Sequence, residues 1–297
     1  MKLLLVIIAG IFFNASCINR SSPDYRTLIQ GDWQSKKSDS FASPKPYTFS
    51  FEDSLYSIIN PYFKFSKYNI TGDIISIQID SLEVETRYPL KYKIVLLNAD
   101  SLILHPISTD TILTKTFRLG KIKPKNNLSP VMIYFQSSPC FGSCPSVTLE
   151  IDSVGKLLFY GGNLPDTGLI FKDSLNKKKF DLIVDKIRNL AIDSLNEFYD
   201  AGWTDDQSCG VNIVTKDRQI HSTAYGYDKE PVELRLLLNY LMYLNKRLHL
   251  QPATGVNEDY FEWNKNLQLL DHTAPPPMVA PPPIKNKHKI KAGRYKH

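Results

Sequence analysis

The chain lacks the marks of the common enzyme classes. Its 297 residues contain no His-Glu-x-x-His, no glycine-rich phosphate loop and no Gly-x-Ser-x-Gly elbow. Zinc-protease, P-loop and α/β-hydrolase chemistry are therefore not expected. The six histidines are scattered, three of them at or beyond His272, and no cofactor is implied. The body also lacks a net charge. The total is +6, and with Lys2 and the six basic residues of the end (Lys285, Lys287, Lys289, Lys291, Arg294, Lys296) set aside it is −1. A nucleic-acid-binding body would carry a basic face with aromatics on it, so no nucleic-acid partner is expected. Cysteine is scarce: Cys17, Cys140, Cys144 and Cys209.

What is present begins at residues 1–17. Lys2 precedes eleven apolar or small residues, Leu3 to Phe13, and then Asn14-Ala15-Ser16-Cys17. A basic start, a short apolar core and small residues make a secretory signal. The run is too short for a bilayer span of about 20 residues. A Cys after two small residues resembles the lipobox of bacterial lipoproteins, with Asn14 where that pattern has an aliphatic residue. The resemblance implies acylation of Cys17 and an exported protein held on the outer membrane by lipid.

Residues 25–122 read as the first domain. It opens with Gly31-Asp32-Trp33. β-rich runs follow at 47–51, 55–59, 74–79, 91–97, 101–105 and 111–119, with turn chemistry at Thr71-Gly72-Asp73 and Asn98-Ala99-Asp100. Closely spaced strands without a long helical pattern suggest an up-and-down barrel. The Gly-x-Trp at its head resembles the lipocalin family, in which the Trp plugs the closed end and a basic residue from a late strand packs across it. By that resemblance Trp33 is the plug and Arg118 its partner. Such a barrel either holds a small apolar ligand or is filled by its own side chains.

Residues 129–250 read as an α+β domain with two main helices on an antiparallel sheet. Strands at 131–135, 147–151 and 157–160 precede a helix striped by Phe180, Ile183, Val184, Ile187, Leu190 and Ala191. Strands at 211–214 and 220–225 lead to a second helix starting near Pro231 and carrying leucines from Leu234 to Leu248. The strand–Cys140-Phe-Gly-Ser-Cys144-Pro–strand arrangement, with Trp203-Thr204-Asp205 after the first helix, resembles an uncharacterised domain family of Gram-negative lipoproteins. That resemblance brings a fold and no activity.

In an exported chain three thiols allow one bridge and leave one over, and the pairing is not fixed by sequence. Pro139 and Pro145 stiffen the flanks and Gly142 lets the short loop fold back, which favours Cys140–Cys144 as a structural bridge. A strand followed by Cys-x-x-x-Cys-Pro also resembles copper-delivering thioredoxin-like proteins. The alternative function is thus thiol redox or Cu(I) handling by Cys140 and Cys144, with His221 as a candidate third ligand. That chemistry needs a helix starting at the second Cys to lower its pKa, and residues 147–151 alternate like a strand instead.

Trp203 with Asp205 and Asp206 is a possible surface site, an acid pair or sugar platform, or else simply a turn. Tyr260, Trp263, Leu267 and Leu270, at helical spacing in 251–274, suggest a short helix packed on the body or an exposed interaction stripe. Residues 275–297 combine Pro repeats with lysines and read as a disordered arm able to meet an anionic surface. Function is expected to be non-enzymatic: a membrane-tethered envelope protein binding a small apolar ligand or an envelope partner.

Overall fold

The structure is a computed structural model that describes residues 24–35, 46–53, 55–59, 63–78, 91–107, 116–140, 144–161, 170–202 and 205–253. Cys17, Trp203, the 254–274 stripe and the basic tail lie outside the described residues. The protein is mostly β, and the chain divides into two compact units after Ile122. Among the described residues no helix is long and apolar enough to cross a membrane.

The first unit opens with a single helical turn, α1 (Tyr25–Leu28). The Asp24 carboxylate accepts from the Arg26 and Thr27 amides and from the Thr27 hydroxyl. Those bonds favour its charged form and hold its pKa below the ordinary value. Eight strands follow: β1 (Gly31–Ser35), β2 (Thr48–Glu52), β3 (Leu55–Ile59), β4 (Phe63–Thr71), β5 (Ile74–Gln78), β6 (Lys91–Leu97), β7 (Ser101–Pro106) and β8 (Phe117–Lys121). Each pairs antiparallel with the next, and β8 returns to β1, closing a barrel-like sheet.

Period-two burial shows which side faces in. Tyr92 and Ile94 are buried between exposed Lys91 and Lys93, and Leu102 and Leu104 alternate likewise. At the β6–β7 turn the Asn98 side chain accepts from the amides of Asp100 and Ser101. The interior is occupied by Trp33, Phe49, Phe51, Ile58, Tyr68, Ile75, Tyr92, Leu104 and their neighbours, all buried. Phe49 meets Tyr92 and Phe117 edge-on, with ring centroids 6.3 and 5.2 Å away.

Of the run expected at 111–119, residues 117–119 fall in β8, which goes on to Lys121, and 111–115 lie outside the described residues. The expectation omitted β4. Asn60-Pro61 ahead of it and its polar Lys64, Lys67 and Asn69 read as a break, yet Tyr68 and Ile70 are buried between exposed neighbours as a strand requires.

The second unit is built on an eight-stranded sheet. Its strands are β9 (Met132–Ser137), β10 (Val147–Asp152), β11 (Lys156–Gly161), β12 (Phe171–Ser174), β13 (Phe198–Asp200), β14 (Ser208–Val214), β15 (Gln219–Tyr225) and β16 (Gln251–Pro252). Their order is β13-β15-β14-β9-β10-β11-β12-β16. All neighbours are antiparallel except β13 with β15.

Helices α2 (Lys177–Arg188) and α3 (Val232–Met242) pack on one face. Ile183, Ile187, Leu234, Leu237, Leu238 and Leu241 there meet Ile133, Phe135, Leu149, Phe159, Val211 and Ile213. Asn176 caps α2 by accepting from the Lys179 amide. Both helices end earlier than their apolar stripes. α2 stops at Arg188, and α3 gives way after Met242 to a 3-10 turn, Leu244–Arg247. The short strands β12, β13 and β16 were not anticipated, because pieces of two to four residues carry no periodicity.

At the β10–β11 turn Gly155 has φ +82°, and a Cβ there would stand 3.0 Å from the Leu175 carbonyl oxygen. Gly161 is tighter still: a Cβ would stand 2.1 Å from the Ser146 carbonyl oxygen, at φ +88°.

Candidate functional site

Three places carry the chemistry that the sequence singled out, or that it concealed. The first is the barrel end around Trp33. The indole is fully buried and its N–H donates to the Ile29 carbonyl at 2.7 Å, so the helical turn α1 and the first strand hold one another. A cation does cover this ring, but it is Lys121, whose Nζ lies 5.1 Å from the ring centroid. Arg118, the expected partner, is exposed. The reason is parity. On β8, Leu119 is buried and Lys121 pairs in register with Trp33, so Arg118 belongs to the opposite face. Burial pushes the Lys121 pKa down, against the opposing pull of Asp32 and Asp100.

The second place is the cysteine loop. Cys140 and Cys144 stand at disulfide distance, with sulfurs 1.97 Å and Cα atoms 5.5 Å apart. They join the end of β9 to the start of β10, and strand β10 begins at Val147, so no helix starts at Cys144. The loop is tied down from within and from across the sheet. The Ser137 hydroxyl donates to the Pro145 carbonyl and accepts from the Val147 amide. The buried Gln207 side chain donates to the carbonyls of Ser138 (2.9 Å) and Pro145 (2.8 Å), and the Ser208 amide donates to the Ser138 hydroxyl. The segment that carries the expected acid pair therefore anchors the cysteine loop through the residue after it. Asp205 is exposed at φ +66°, a left-handed conformation that Asp tolerates, and Asp206 is half-buried.

Cys209 is free and fully buried on β14. Burial pushes its thiol far above the ordinary range, although Tyr227 donates a hydrogen bond to the sulfur. Such a thiol is a packing group and a poor nucleophile. His221 is exposed and pairs with Asn212, three residues along the ladder from the Cys209–Ala224 pair, so it does not join the cysteines. Among the described residues no three His, Cys, Asp or Glu side chains converge as a metal site would need.

The third place had no signal in the sequence. An open cleft of about 650 Å³ is lined by Leu128, Val131, Phe180 and Val184 on its apolar side and by Asp181, Arg188, Lys216 and Asp217 on its charged side. The spacing of Phe180, Asp181, Val184 and Arg188 puts them on one face of α2. The strap 127–131 forms a wall and is hung from the end of that helix. Asn126 donates to the carbonyls of Ile187, Arg188 and Leu190, and Arg188 donates to the Leu128 carbonyl at 3.2 Å. The Asn126 bonds to Ile187 and Arg188 fall on carbonyls at the C-terminal end of α2, where the helix leaves acceptors open. The β14–β15 turn supplies Thr215, Lys216 and Asp217, and the Thr215 hydroxyl accepts from the amides of Asp217 and Arg218. Two acids and two bases line the cleft, so its charge is balanced. Its volume falls in the range that small ligands or a partner's side chains occupy.

Residues 131–245 match the family model described as a domain of unknown function, DUF6438. The match runs from the start of β9 to the 3-10 turn after α3. It includes the cysteine loop, Gln207 and most of the cleft lining. No curated protein sequence matches the chain.

Proposed function

We propose that the protein is an exported, lipid-tethered envelope protein that acts by binding and without turnover. The observation that carries this reading is the cleft of the second unit, with an apolar side, a balanced charged side and walls hung on hydrogen bonds. It suits a ligand or partner segment with an apolar body and polar ends. The barrel supports a scaffold role, in keeping with the lipocalin-like reading of its first strand. Its described interior positions are taken by buried aromatic and aliphatic side chains. The Cu(I) or redox alternative needs a thiolate poised at a helix start. The strand after Cys144 and the raised pKa of Cys209 support the structural role of the thiols instead.

In this reading Cys17 is acylated and holds the protein on the outer membrane. The basic tail adds attraction to an anionic surface, at roughly 1 kcal/mol per basic residue near that surface and less as salt rises. Native mass spectrometry of full-length protein from its own envelope tests both parts. The expected spectrum shows a lipid mass on Cys17 and a bound ligand or partner, the latter lost when Lys216→Glu and Asp217→Lys reverse the rim. A protein that is unlipidated, or that carries no bound species, contradicts the corresponding part.

A further inference from the structure

One tripeptide recurs along this chain. Asp-Ser-Leu stands at 53–55, 80–82, 100–102, 173–175 and 193–195, Asp-Ser-Val at 152–154 and Asp-Thr-Ile at 110–112. Seven of the 21 aspartates are thus followed by a hydroxyl and then by a branched aliphatic residue. Ser and Thr together are 40 of the 297 residues, so composition alone gives far fewer such runs. Four copies have their hydroxyl on described residues, each at a turn or the end of an element. Ser101 opens β7, Ser153 lies in the β10–β11 turn, Ser174 ends β12 and Ser194 ends a 3-10 turn, Ile192–Ser194. The fold explains the outer two positions of the tripeptide. Asp152 accepts from the Val154 and Lys156 amides, Asp173 accepts from the Ser174 amide, and Leu102 and Leu175 are buried. It does not explain the hydroxyl between them. Ser153, Ser174 and Ser194 are exposed and Ser101 is half-buried. The Ser194 hydroxyl donates to the Ala191 carbonyl, and no hydrogen bond of the other three hydroxyls is found among the described residues.

We propose that these hydroxyls are acceptors for O-linked sugars, and that Asp, hydroxyl and aliphatic residue together are the mark a transferase reads. This rests on the exported reading above. One copy lies in the first unit and three in the second, so the mark belongs to no single site of the fold. Leu102 and Leu175 are buried, so the mark is read before the chain has folded. The setting selects the group. Outside the cytoplasm no nucleotide supplies phosphate, and a phosphate beside the Asp carboxylate would meet like charge. A sugar is bulky, solubilising and suited to exposed turns. The donor is a sugar carried on a lipid diphosphate in the membrane. The Ser Oγ attacks the anomeric carbon, and the bond from that carbon to the diphosphate breaks. Its electron pair leaves with the carrier, and the hydroxyl proton passes to a base of the transferase. No oxidant or reductant is needed. Ser153 also lines the cleft, so a sugar there borders whatever the cleft holds.

The test uses full-length protein purified from its own envelope, digested and mapped by mass spectrometry with fragmentation that keeps sugars on their residues. Sugar increments are expected on Ser153, Ser174 and Ser194. Asp173→Asn keeps an acceptor for the Ser174 amide. It is expected to abolish the sugar on Ser174 and to leave the one on Ser194. Unmodified hydroxyls on protein that carries lipid at Cys17 overturn the proposal and leave the exported reading standing. Protein that carries neither lipid nor sugar overturns both. Phosphate in place of sugar, or a Ser174 sugar that survives Asp173→Asn, also overturns the proposal.

Discussion

Single side chains decide the electrostatics of both units. Lys121 stacks on Trp33, whereas Arg118 faces out one residue-parity away. Lys121→Ala is therefore expected to lower stability by about 1 kcal/mol, from the lost cation–π contact and its methylene packing. Arg118→Ala is expected to stay within about 0.5 kcal/mol. Urea unfolding of the two variants checks the order. The sequence pointed to Arg118 as the cation on Trp33, and the structure puts Lys121 there instead. A one-residue change of register flips a side chain to the other face, and the register was set by a β1–β8 pairing distant in sequence.

Cys209 gives a pH prediction. Its ordinary value is 9.0, and burial raises it far above that in the folded protein. Above about pH 9 the unfolded chain releases a proton that the fold retains, so stability falls as pH rises. At pH 10.5 the loss from this group is about 2 kcal/mol. Tyr227, Tyr243 and Tyr68 are raised chiefly by burial too and act in the same direction above their ordinary value of 10.0. Lys121, lowered, opposes them weakly. Denaturation midpoints at pH 8 and 10.5 are expected to drop less in Cys209→Ala than in wild type, and equal drops would contradict the assignment.

At the scale of elements, the short cysteine loop is held twice, by covalent reach and by Gln207. Peptide mapping under non-reducing conditions is expected to return a Cys140–Cys144 link with Cys209 free, and any link to Cys209 contradicts it. Replacing both loop cysteines by Ser is expected to cost about 2 kcal/mol, the loop-entropy value for so short a ring. Most strands and both helices were legible, because Ile183, Val184 and Ile187, or Tyr92 and Ile94, repeat at the period of their element. β4 was hidden by its lysines. The cleft was not legible, because Leu128, Phe180 and Lys216 come from a strap, a helix and a hairpin turn that only the sheet brings together. No local pattern encodes such a convergence.

For the whole molecule, the balance of supports is asymmetric. The described aromatic side chains of the first unit gather in its own interior, and the second offers a cleft most of whose lining falls in the stretch matched by the family model. The fold of the second unit was readable from residues 129–250. What its cleft suits was not, since a lining that balances two acids with two bases imposes shape more than charge. The most direct measurement is in-cell photocrosslinking from Lys216 on the cleft rim, compared with Lys178, which is exposed on α2 but does not line the cleft. A binding protein predicts discrete adducts from position 216 that are absent from position 178. Equal labelling at both positions, or none at either, contradicts the central claim.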